Sequence, residues 1–254
     1  MRFPPDITLI LPAYNEAARI AETLQQSTEY FRSRNLEYQI IVAADGDDGT
    51  REIVREIGRR DPRIQVIGSR GRLGKGRGVR EAVKLAEGVV VGYADADNKV
   101  PISEFDKIAK HLKAGCQVVI GSRALGGSKI ERKQPLYRQL GSRGFAFCMQ
   151  TIVGLSGVHD TQCGFKFFPL DVAQFIFSNQ QIDGYMFDVE ILAIALRLGY
   201  RITEVPIRWR DDGDSRLDLV SGNIRNLRDL FRIRMALASR GFSSNLEKSE
   251  LAKS

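Results

Sequence analysis

Runs of apolar, mainly β-branched residues alternate with amphipathic stretches through the first hundred positions of the chain. The four runs, at 6–12, 38–44, 64–67 and 89–93, have the length and composition of buried strands. Between them, apolar residues recur every three to four positions, as is typical of helices that cover a sheet. This alternation predicts βαβ units. The expected fold class is therefore α/β, with a mostly parallel, Rossmann-like sheet and helices on both faces.

Local signals predict where these elements begin and end. Pro12 is predicted to end the first strand, and Asn15 to cap the first helix. Thr50 is predicted to cap the second helix. Each helix would then begin directly beyond the carboxyl end of its strand.

The second half of the chain has a less regular pattern. Strands are predicted at 117–120, 163–168 and 201–209, and helices at 136–155 and 187–198. Pro169 is expected to break the second of these strands, and Pro206 to place the third at an edge or interrupt its pairing.

The last helical pattern, at 219–238, combines an apolar stripe with arginines. The apolar stripe consists of Val220, Ile224, Leu227, Phe231 and Met235, and the neighbouring face carries Arg225, Arg228 and Arg232. Such a helix can lie on an anionic membrane, or it can pack on the domain with its arginines in water. We expect a domain at 1–215, followed at 216–254 by this C-terminal amphipathic helix and a polar tail.

Polar, ligand-like residues follow three of the predicted parallel strands. Tyr14-Asn15-Glu16 follows the first strand, Asp45 the second, and Asp95 and Asp97 the fourth. Ligands bind outside the carboxyl ends of the strands in open parallel sheets, so these residues should converge. A carboxylate pair suits Mg²⁺ or Mn²⁺, which could neutralise a pyrophosphate. An Asp-x-Asp pair is common by itself, and the convergence of three strand ends carries the prediction.

Composition limits the class of protein. The 254 residues, 43% of them apolar, suffice for a substantial core, and no apolar run reaches the roughly 18 residues that span a bilayer. We expect no signal peptide, and the three scattered cysteines favour a reducing cytoplasm. The net charge of +7 is uneven, with ten basic against three acidic residues at 51–80, and favours an anionic partner.

A basic, glycine-containing loop lies between the third and fourth strands. Its Gly74-Lys75-Gly76 segment would let the backbone approach a phosphate and supplies a cation. The loop is not a Walker A sequence, and no GxGxxG follows the first strand, which disfavours a dinucleotide oxidoreductase.

Six motifs follow one another in order along residues 6–215. They are Leu11-Pro12-Ala13-Tyr14-Asn15-Glu16, Gly74-Lys75-Gly76, Asp95-Ala96-Asp97, Gly121-Ser122-Arg123, Asp160-Thr161-Gln162-Cys163-Gly164-Phe165-Lys166 and Phe187-Asp188-Val189-Glu190. This set resembles glycosyltransferase family 2, most closely its dolichyl-phosphate β-glucosyltransferase and dolichyl-phosphate mannosyltransferase branch. The Asp160–Lys166 motif favours the glucosyltransferase side.

The resemblance implies a GT-A fold, a nucleotide-sugar donor and inversion at the anomeric carbon. Donor-binding residues would be Pro12, Ala13, Tyr14, Asn15, Glu16, Asp45, Lys75, Asp95, Ala96, Asp97 and Gln162. Asp97 would bind Mg²⁺ or Mn²⁺, with Asp95 shared between metal and ribose. Asp188 would be the general base, beside Glu190. Arg123, Arg143 and Ser142 would meet an acceptor phosphate, and Cys163 would line the pocket with Gln162.

Two features depart from the family pattern. The family usually has two adjacent acids at the end of the second strand, where this chain has Ala43-Ala44-Asp45-Gly46. We expect Asp45 to be the remaining base-binding acid. We also expect no membrane-spanning segment of the kind seen in some relatives, so that the tail helix and basic patches would contact an anionic membrane.

The expected function is hexose transfer, glucose favoured and mannose next, from a UDP- or GDP-sugar to a polyprenyl or dolichyl phosphate on the cytoplasmic membrane face. An ionised phosphate acceptor would need little help from Asp188, whereas a hydroxyl must lose a proton to it. Transfer to a soluble or polysaccharide hydroxyl is therefore an alternative within the family.

Other classes are less favoured. A nucleotidyltransferase usually carries a glycine-rich loop after its first strand, which is missing here. A basic nucleic-acid-binding module needs no strand-end acid pair, and the chain contains no recognised nucleic-acid motif, so no nucleic-acid partner is expected. A catalytically dead sugar-binding relative is a further alternative because of Ala43 and Ala44.

Overall fold

The computed structural model describes residues 4–130, 151–210 and 221–239. The strands are β1 (Ile7–Tyr14), β2 (Tyr38–Asp45), β3 (Ile64–Ile67), β4 (Val90–Ala94), β5 (Val118–Ser122), β6 (Lys129–Ile130), β7 (Phe165–Pro169), β8 (Ile202–Pro206) and β9 (Arg208–Trp209). The helices are α1 (Ile20–Ser33), α2 (Thr50–Arg60), α3 (Lys75–Val83), α4 (Phe105–Lys113), α5 (Leu170–Ser178), α6 (Phe187–Arg197) and α7 (Ser221–Ser239), with a short 3₁₀ turn at Ile102–Glu104.

The main sheet is mostly parallel, as the strand–helix alternation predicts. Within the described residues, seven strands form it in the order β3-β2-β1-β4-β7-β5-β8. Strand β7 runs antiparallel to both of its neighbours, β4 and β5. The other neighbouring pairs are parallel, and a small parallel pair, β6 and β9, lies apart from the main sheet.

Apolar residues are buried on both faces of the sheet. Along β1 and β2, Ile10 and Ile41 belong to one buried cluster, whereas Leu9 and Ile40 belong to the other. The first cluster includes apolar residues of α3, α5, α6 and α7, and the second includes residues of α1, α2 and α4. Burial on both faces explains the continuous apolar runs in the sequence and confirms the predicted layer of helices on each face.

Three predicted local signals are wrong. Strand β1 continues to Tyr14, and Pro12 lies inside it; pairing of β1 with β4 ends at Ile10, so the missing N–H of Pro12 breaks no bond to that strand.

Asn15 does not cap α1, which begins at Ile20; its φ is 54°, and its side chain accepts a hydrogen bond from the backbone N–H of Asp47 at 3.2 Å. Thr50 is the first residue of α2, and its N–H donates to Asp48 at 3.0 Å.

Helix α7 packs on the domain through a stripe other than the predicted one. Leu230, Ile233 and Leu237 are buried in the core, whereas Leu227, Phe231 and Met235 are about half exposed or more. Within the described residues, no helix is long and apolar enough to cross a bilayer. Most of the helix predicted at 136–155, the proposed boundary at 215, Val220 and the side chains of Ile224 and Arg225 lie outside what the structure describes.

Candidate active site

The carboxyl ends of β1, β2 and β4 lie side by side in the sheet. Tyr14 and Asp45 are register partners at the ends of β1 and β2, and β4 pairs with the opposite edge of β1. This adjacency brings together the three strand ends that the sequence marks with polar residues.

Asp45 holds the basic loop in place. Its carboxylate accepts backbone N–H groups from Ser69 at 3.2 Å, Leu73 at 2.7 Å and Gly74 at 3.3 Å. Gly74 has a φ of 113°, and a Cβ there would stand 2.2 Å from the carbonyl oxygen of Asp183, so glycine is required. The loop therefore delivers Lys75 to the first position of α3. Binding of the nucleobase by Asp45 stays a prediction.

Lys75 stands between two carboxylates. Its Nζ is 2.7 Å from Oδ1 of Asp95 and 3.8 Å from Oδ2 of Asp188. Burial alone would lower the pKa of Lys75, but the charges of Asp95 and Asp188 outweigh it and raise that pKa. The lysine is therefore a fixed cation in the predicted donor pocket.

Asp95 and Asp97 occupy the turn that follows β4. A Cβ on Gly164 would stand 2.2 Å from the Asp95 carboxylate, so this glycine allows β7 to approach Asp95 closely. Asp97 is paired with Lys99 at 3.3 Å. Burial, and then the charge of Asp95, raise the pKa of Asp97. Each carboxylate thus has one lysine partner, and burial disfavours the ionised form of Asp97.

This carboxylate pair fits a divalent cation bound together with a phosphate ligand. Among the described residues, no group of three or more His, Cys, Asp or Glu side chains could hold an ion. One or two carboxylates, with substrate phosphates and water as further ligands, are a common arrangement for Mg²⁺. A divalent cation beside Asp97 would also stabilise its ionised form, which burial and then the charge of Asp95 disfavour.

Asp188 and Lys166 form a buried ion pair beneath this turn. The side chains are 2% and 0% exposed. Oδ1 of Asp188 accepts hydrogen bonds from Lys166 Nζ and the hydroxyl of Tyr93, and Lys166 Nζ also donates to the carbonyl of Cys163 at 2.6 Å. Burial, and then Asp188, raise the pKa of Tyr93; burial also raises the pKa of Cys163, to about 12. Both groups are therefore neutral beside the pair.

Glu190 has internal partners of its own. Its carboxylate accepts the backbone N–H of Gln181 at 2.9 Å and that of Ile182 at 2.7 Å, and the residue is 3% exposed. It thereby ties α6 to the segment that precedes it. The predicted catalytic roles of Asp188 and Glu190 stay predictions.

Arg123 is held rigidly at the end of β5. Its Nε and one terminal nitrogen donate to the two carboxylate oxygens of Asp160 at 2.8 and 2.9 Å, and its guanidinium lies 5.4 Å from the ring centre of Trp209. Burial opposes both charges, but the pair's mutual attraction raises the pKa of Arg123 and lowers that of Asp160. The guanidinium is therefore oriented in advance, and three of its five N–H groups make no hydrogen bond within the described residues, so they could bind an anion.

The remaining predicted site residues differ in their burial and in their hydrogen bonds. Ala13 and Ala96 are buried, and the Ala96 carbonyl accepts a hydrogen bond from Thr23 at 2.8 Å. The backbone N–H of Glu16 donates to Thr50 at 3.0 Å. Nε2 of Gln162 is buried without a hydrogen-bond partner in the described residues. Two of the residues predicted to meet the acceptor phosphate, Ser142 and Arg143, lie outside the described residues.

The structure adds residues that the sequence analysis did not assign. The guanidinium of Arg72 lies 4.4 Å from the ring centre of Tyr14 and donates to the Tyr185 hydroxyl at 2.9 Å. Arg72 thus links the end of β1 to the segment before α6, across the cleft at the carboxyl ends of the strands. Lys166 and Asp160 belong to a motif of the sequence, but the motif alone assigned no role to either residue. Tyr93 was hidden within an apolar strand, and no local signal pointed to it or to Arg72.

Comparison with known proteins identifies the class. The profile of Glycosyl transferase family 2 matches residues 8–174, and the chain belongs to this family. It is a glycosyltransferase with a GT-A-like α/β fold, as the motifs predict.

Individual relatives narrow the comparison. The chain is 36% identical to a dolichyl-phosphate beta-glucosyltransferase of Trichomonas vaginalis, over 89% of this chain and 70% of the relative. It is 31% identical to a dolichyl-phosphate beta-glucosyltransferase of Dictyostelium discoideum, over 90% and 73%. The predicted resemblance to this branch of the family is confirmed.

A solved structure supports the fold. The structure of glucosyl-3-phosphoglycerate synthase from Mycobacterium tuberculosis with Mn²⁺, UDP-glucose and phosphoglyceric acid matches 91% of this chain and 80% of that protein, with a TM-score of 0.66 and 20% identity.

Proposed function

We propose that the protein is an inverting, metal-dependent glucosyltransferase. It moves glucose from a nucleotide sugar, which we propose to be UDP-glucose, to a polyprenyl phosphate such as dolichyl phosphate. The glucose and the lipid acceptor are supported by relatives above 30% identity that carry these words in their names. The arrangement of charges in the cleft supports the same acceptor independently.

The donor would lie across the carboxyl ends of β1, β2 and β4. Asp97 and Asp95 would hold Mg²⁺ or Mn²⁺, which when bound stabilises the negative charge of the departing nucleoside diphosphate. Lys75 adds a cation beside the same carboxylates. Because that charge grows as the glycosidic bond breaks, a fixed lysine there stabilises the transition state more than the ground state.

The burial of both candidate bases is the observation that carries the choice of acceptor. Asp188 and Glu190 are 1% and 3% exposed. Oδ1 of Asp188 and both carboxylate oxygens of Glu190 accept hydrogen bonds from internal donors. A hydroxyl acceptor needs an accessible base, whereas a phosphate monoester, with a second pKa near ~6, is mostly ionised at neutral pH. The acceptor phosphate would be oriented by Arg123.

A lipid acceptor also explains the exposed face of α7. Leu227, Phe231 and Met235 repeat every four residues and form an exposed apolar stripe. On the helical wheel, exposed Arg228 and Arg232 lie on one side of this stripe. We propose that this stripe inserts into the interface of an anionic membrane. Among the described residues, Cys116 and Cys163 form no disulfide, which supports a reducing compartment and thus the cytoplasmic face.

Product analysis tests this function. Purified protein would be incubated with UDP-glucose, GDP-mannose or UDP-N-acetylglucosamine, with Mn²⁺ or Mg²⁺, and with a polyprenyl phosphate in anionic vesicles. We expect a polyprenyl phosphate that has gained one hexose, detected by mass, with UDP-glucose and only with metal. Consumption of no donor, or transfer to a hydroxyl acceptor in preference to the lipid phosphate, would refute the proposal.

A further inference from the structure

Four charged side chains of alternating sign connect the cleft to the middle of the sheet. From the turn after β4 inward they are Asp95, Lys75, Asp188 and Lys166, and neighbouring members are 2.7 Å and 3.8 Å apart before the direct contact between Asp188 and Lys166. The exposed fraction falls along the row, from 43% for the Asp95 side chain to none for Lys166. Because its side chain is fully buried, Lys166 cannot contact a ligand directly.

The sheet fixes the backbone of Lys166 between two neighbouring strands. It lies on β7, directly opposite Tyr93 of β4 and Ile120 of β5. Cross-strand neighbours thus supply both donors to Asp188, the Lys166 ammonium and the Tyr93 hydroxyl. Burying an ammonium group costs desolvation free energy unless the group is paired. A lysine at this position in an apolar strand is therefore unusual enough to suggest a specific role.

The position of Lys75 depends on how completely Asp188 is neutralised. Oδ1 of Asp188 is engaged by Lys166 and Tyr93, and Lys75 remains 3.8 Å from Oδ2 while it contacts Asp95 at 2.7 Å. Without the charge of Lys166, Asp188 would be a buried anion whose nearest cation is Lys75. The attraction would draw Lys75 inward, away from Asp95 and from the cleft.

We propose that Lys166 is a positioning residue for donor binding: by engaging Asp188 it keeps the Lys75 ammonium at the cleft, where it can meet the donor's diphosphate. This inference rests on the proposed function, in which Lys75 contacts that diphosphate. Asp188 is then also a positioning residue.

A double-mutant cycle on nucleotide binding tests the proposal without relying on turnover. Isothermal titration calorimetry would measure the Kd of UDP with Mn²⁺, and of GDP with Mn²⁺, for the wild type, Lys166→Met, Lys75→Met and the double variant. Loss of one charge-assisted contact predicts about tenfold weaker binding for each single variant. If Lys166 acts through Lys75, the double variant binds within about twofold of Lys75→Met alone.

Two further variants separate positioning from general damage. Lys166→Met/Asp188→Asn removes both buried charges, so nothing draws Lys75 inward, and its Kd should return to within about threefold of wild type. This variant also serves if Lys166→Met does not fold. Lys113→Met, an exposed lysine at the end of α4, should leave binding unchanged.

Distinct results would overturn the proposal. If the wild type binds nucleotide, three results would each exclude positioning through Asp188. The first is wild-type affinity of Lys166→Met, and the second is additive losses in Lys166→Met/Lys75→Met. The third is a loss in Lys166→Met/Asp188→Asn as large as in Lys166→Met. A wild type that binds neither diphosphate would instead defeat the proposed function, and this inference with it.

Discussion

The two halves of the cleft use charge differently. At the turn after β4, Asp95 and Asp97 each face a lysine at 2.7 and 3.3 Å, and the Asp95 side chain is 43% exposed. Across the cleft, Asp160 is 8% exposed and clamps Arg123 through two hydrogen bonds.

The difference indicates which charges a ligand can displace. A partly exposed carboxylate with a single lysine partner can exchange that partner for a metal–diphosphate at little desolvation cost. A buried, multiply hydrogen-bonded pair cannot exchange partners cheaply, so it fixes geometry. We therefore expect substitutions of Asp95 or Asp97 to abolish donor chemistry, and substitutions in the Arg123–Asp160 pair to alter acceptor binding or stability.

Asp97→Asn should have the largest effect. The substitution keeps the shape of the side chain but removes the charge that would hold the metal, so kcat/KM should fall about 10³-fold. Initial rates of glucosyl transfer over a range of Mn²⁺ concentrations would measure the loss. Asp171→Asn, at an exposed position in the first turn of α5, is the matched control. A loss below tenfold would mean that Asp97 is not a metal ligand.

Arg123→Lys should affect the acceptor alone. Lysine keeps the charge but cannot form the two-pronged contact with Asp160 and still present donors to a phosphate, so kcat/KM for the acceptor should fall about 10²-fold. The Kd of the nucleoside diphosphate should stay the same. An equal weakening of both would show that the two halves are not separate.

Asp160→Asn should reveal the buried pair as a pH-dependent contribution to stability. Because Arg123 lowers the pKa of Asp160, the pair stabilises the fold above the carboxyl's ordinary pKa and loses that contribution as pH falls through the lowered value. The variant should lose about 2 kcal/mol of unfolding free energy at pH 7. That difference should shrink below about pH 4.

Urea denaturation at pH 7 and pH 3 would measure the effect of Asp160→Asn. A difference in unfolding free energy that is equal at both pH values would contradict an ionised Asp160.

Phe231→Glu should have the smallest effect, because it changes only the surface of α7. An acid in the exposed apolar stripe should weaken binding to anionic vesicles about tenfold. Transfer to a short-chain, water-soluble acceptor should not change. Phe175→Glu, an equivalent change at an exposed phenylalanine of α5, should sediment with vesicles like the wild type. Equal behaviour of the two variants would remove α7 from the membrane contact.

The donor half could be predicted from sequence because its signals are local. Buried parallel strands leave continuous apolar runs, and polar residues directly after Tyr93-Ala94 or Ala44 must lie at one edge of the sheet. The wrong ends at Pro12 and Asn15 arose because tertiary pairing continued the strand and the Asn15 side chain bonded to a neighbouring loop.

The rest of the site depends on contacts that no local pattern encodes. Nothing in residues 165–169 predicts that β7 enters the sheet antiparallel between β4 and β5, which is what brings Lys166 opposite Tyr93. Helix α7 carries two apolar stripes, and the pattern alone could not decide that Leu230 and Ile233 face the core while Leu227 and Phe231 face solvent.

The pH dependence of acceptor use tests most directly the claim that the protein transfers to a phosphate without a general base. The kcat/KM for polyprenyl phosphate would be measured from pH 5 to pH 8.5 in the wild type and in Lys166→Met/Asp188→Asn. We predict that both profiles rise through the acceptor's own ionisation near pH ~6, with plateaus within about tenfold of each other. A plateau lowered 10²-fold or more in the variant, together with loss of the rising limb, would show that Asp188 takes a proton and would contradict the account.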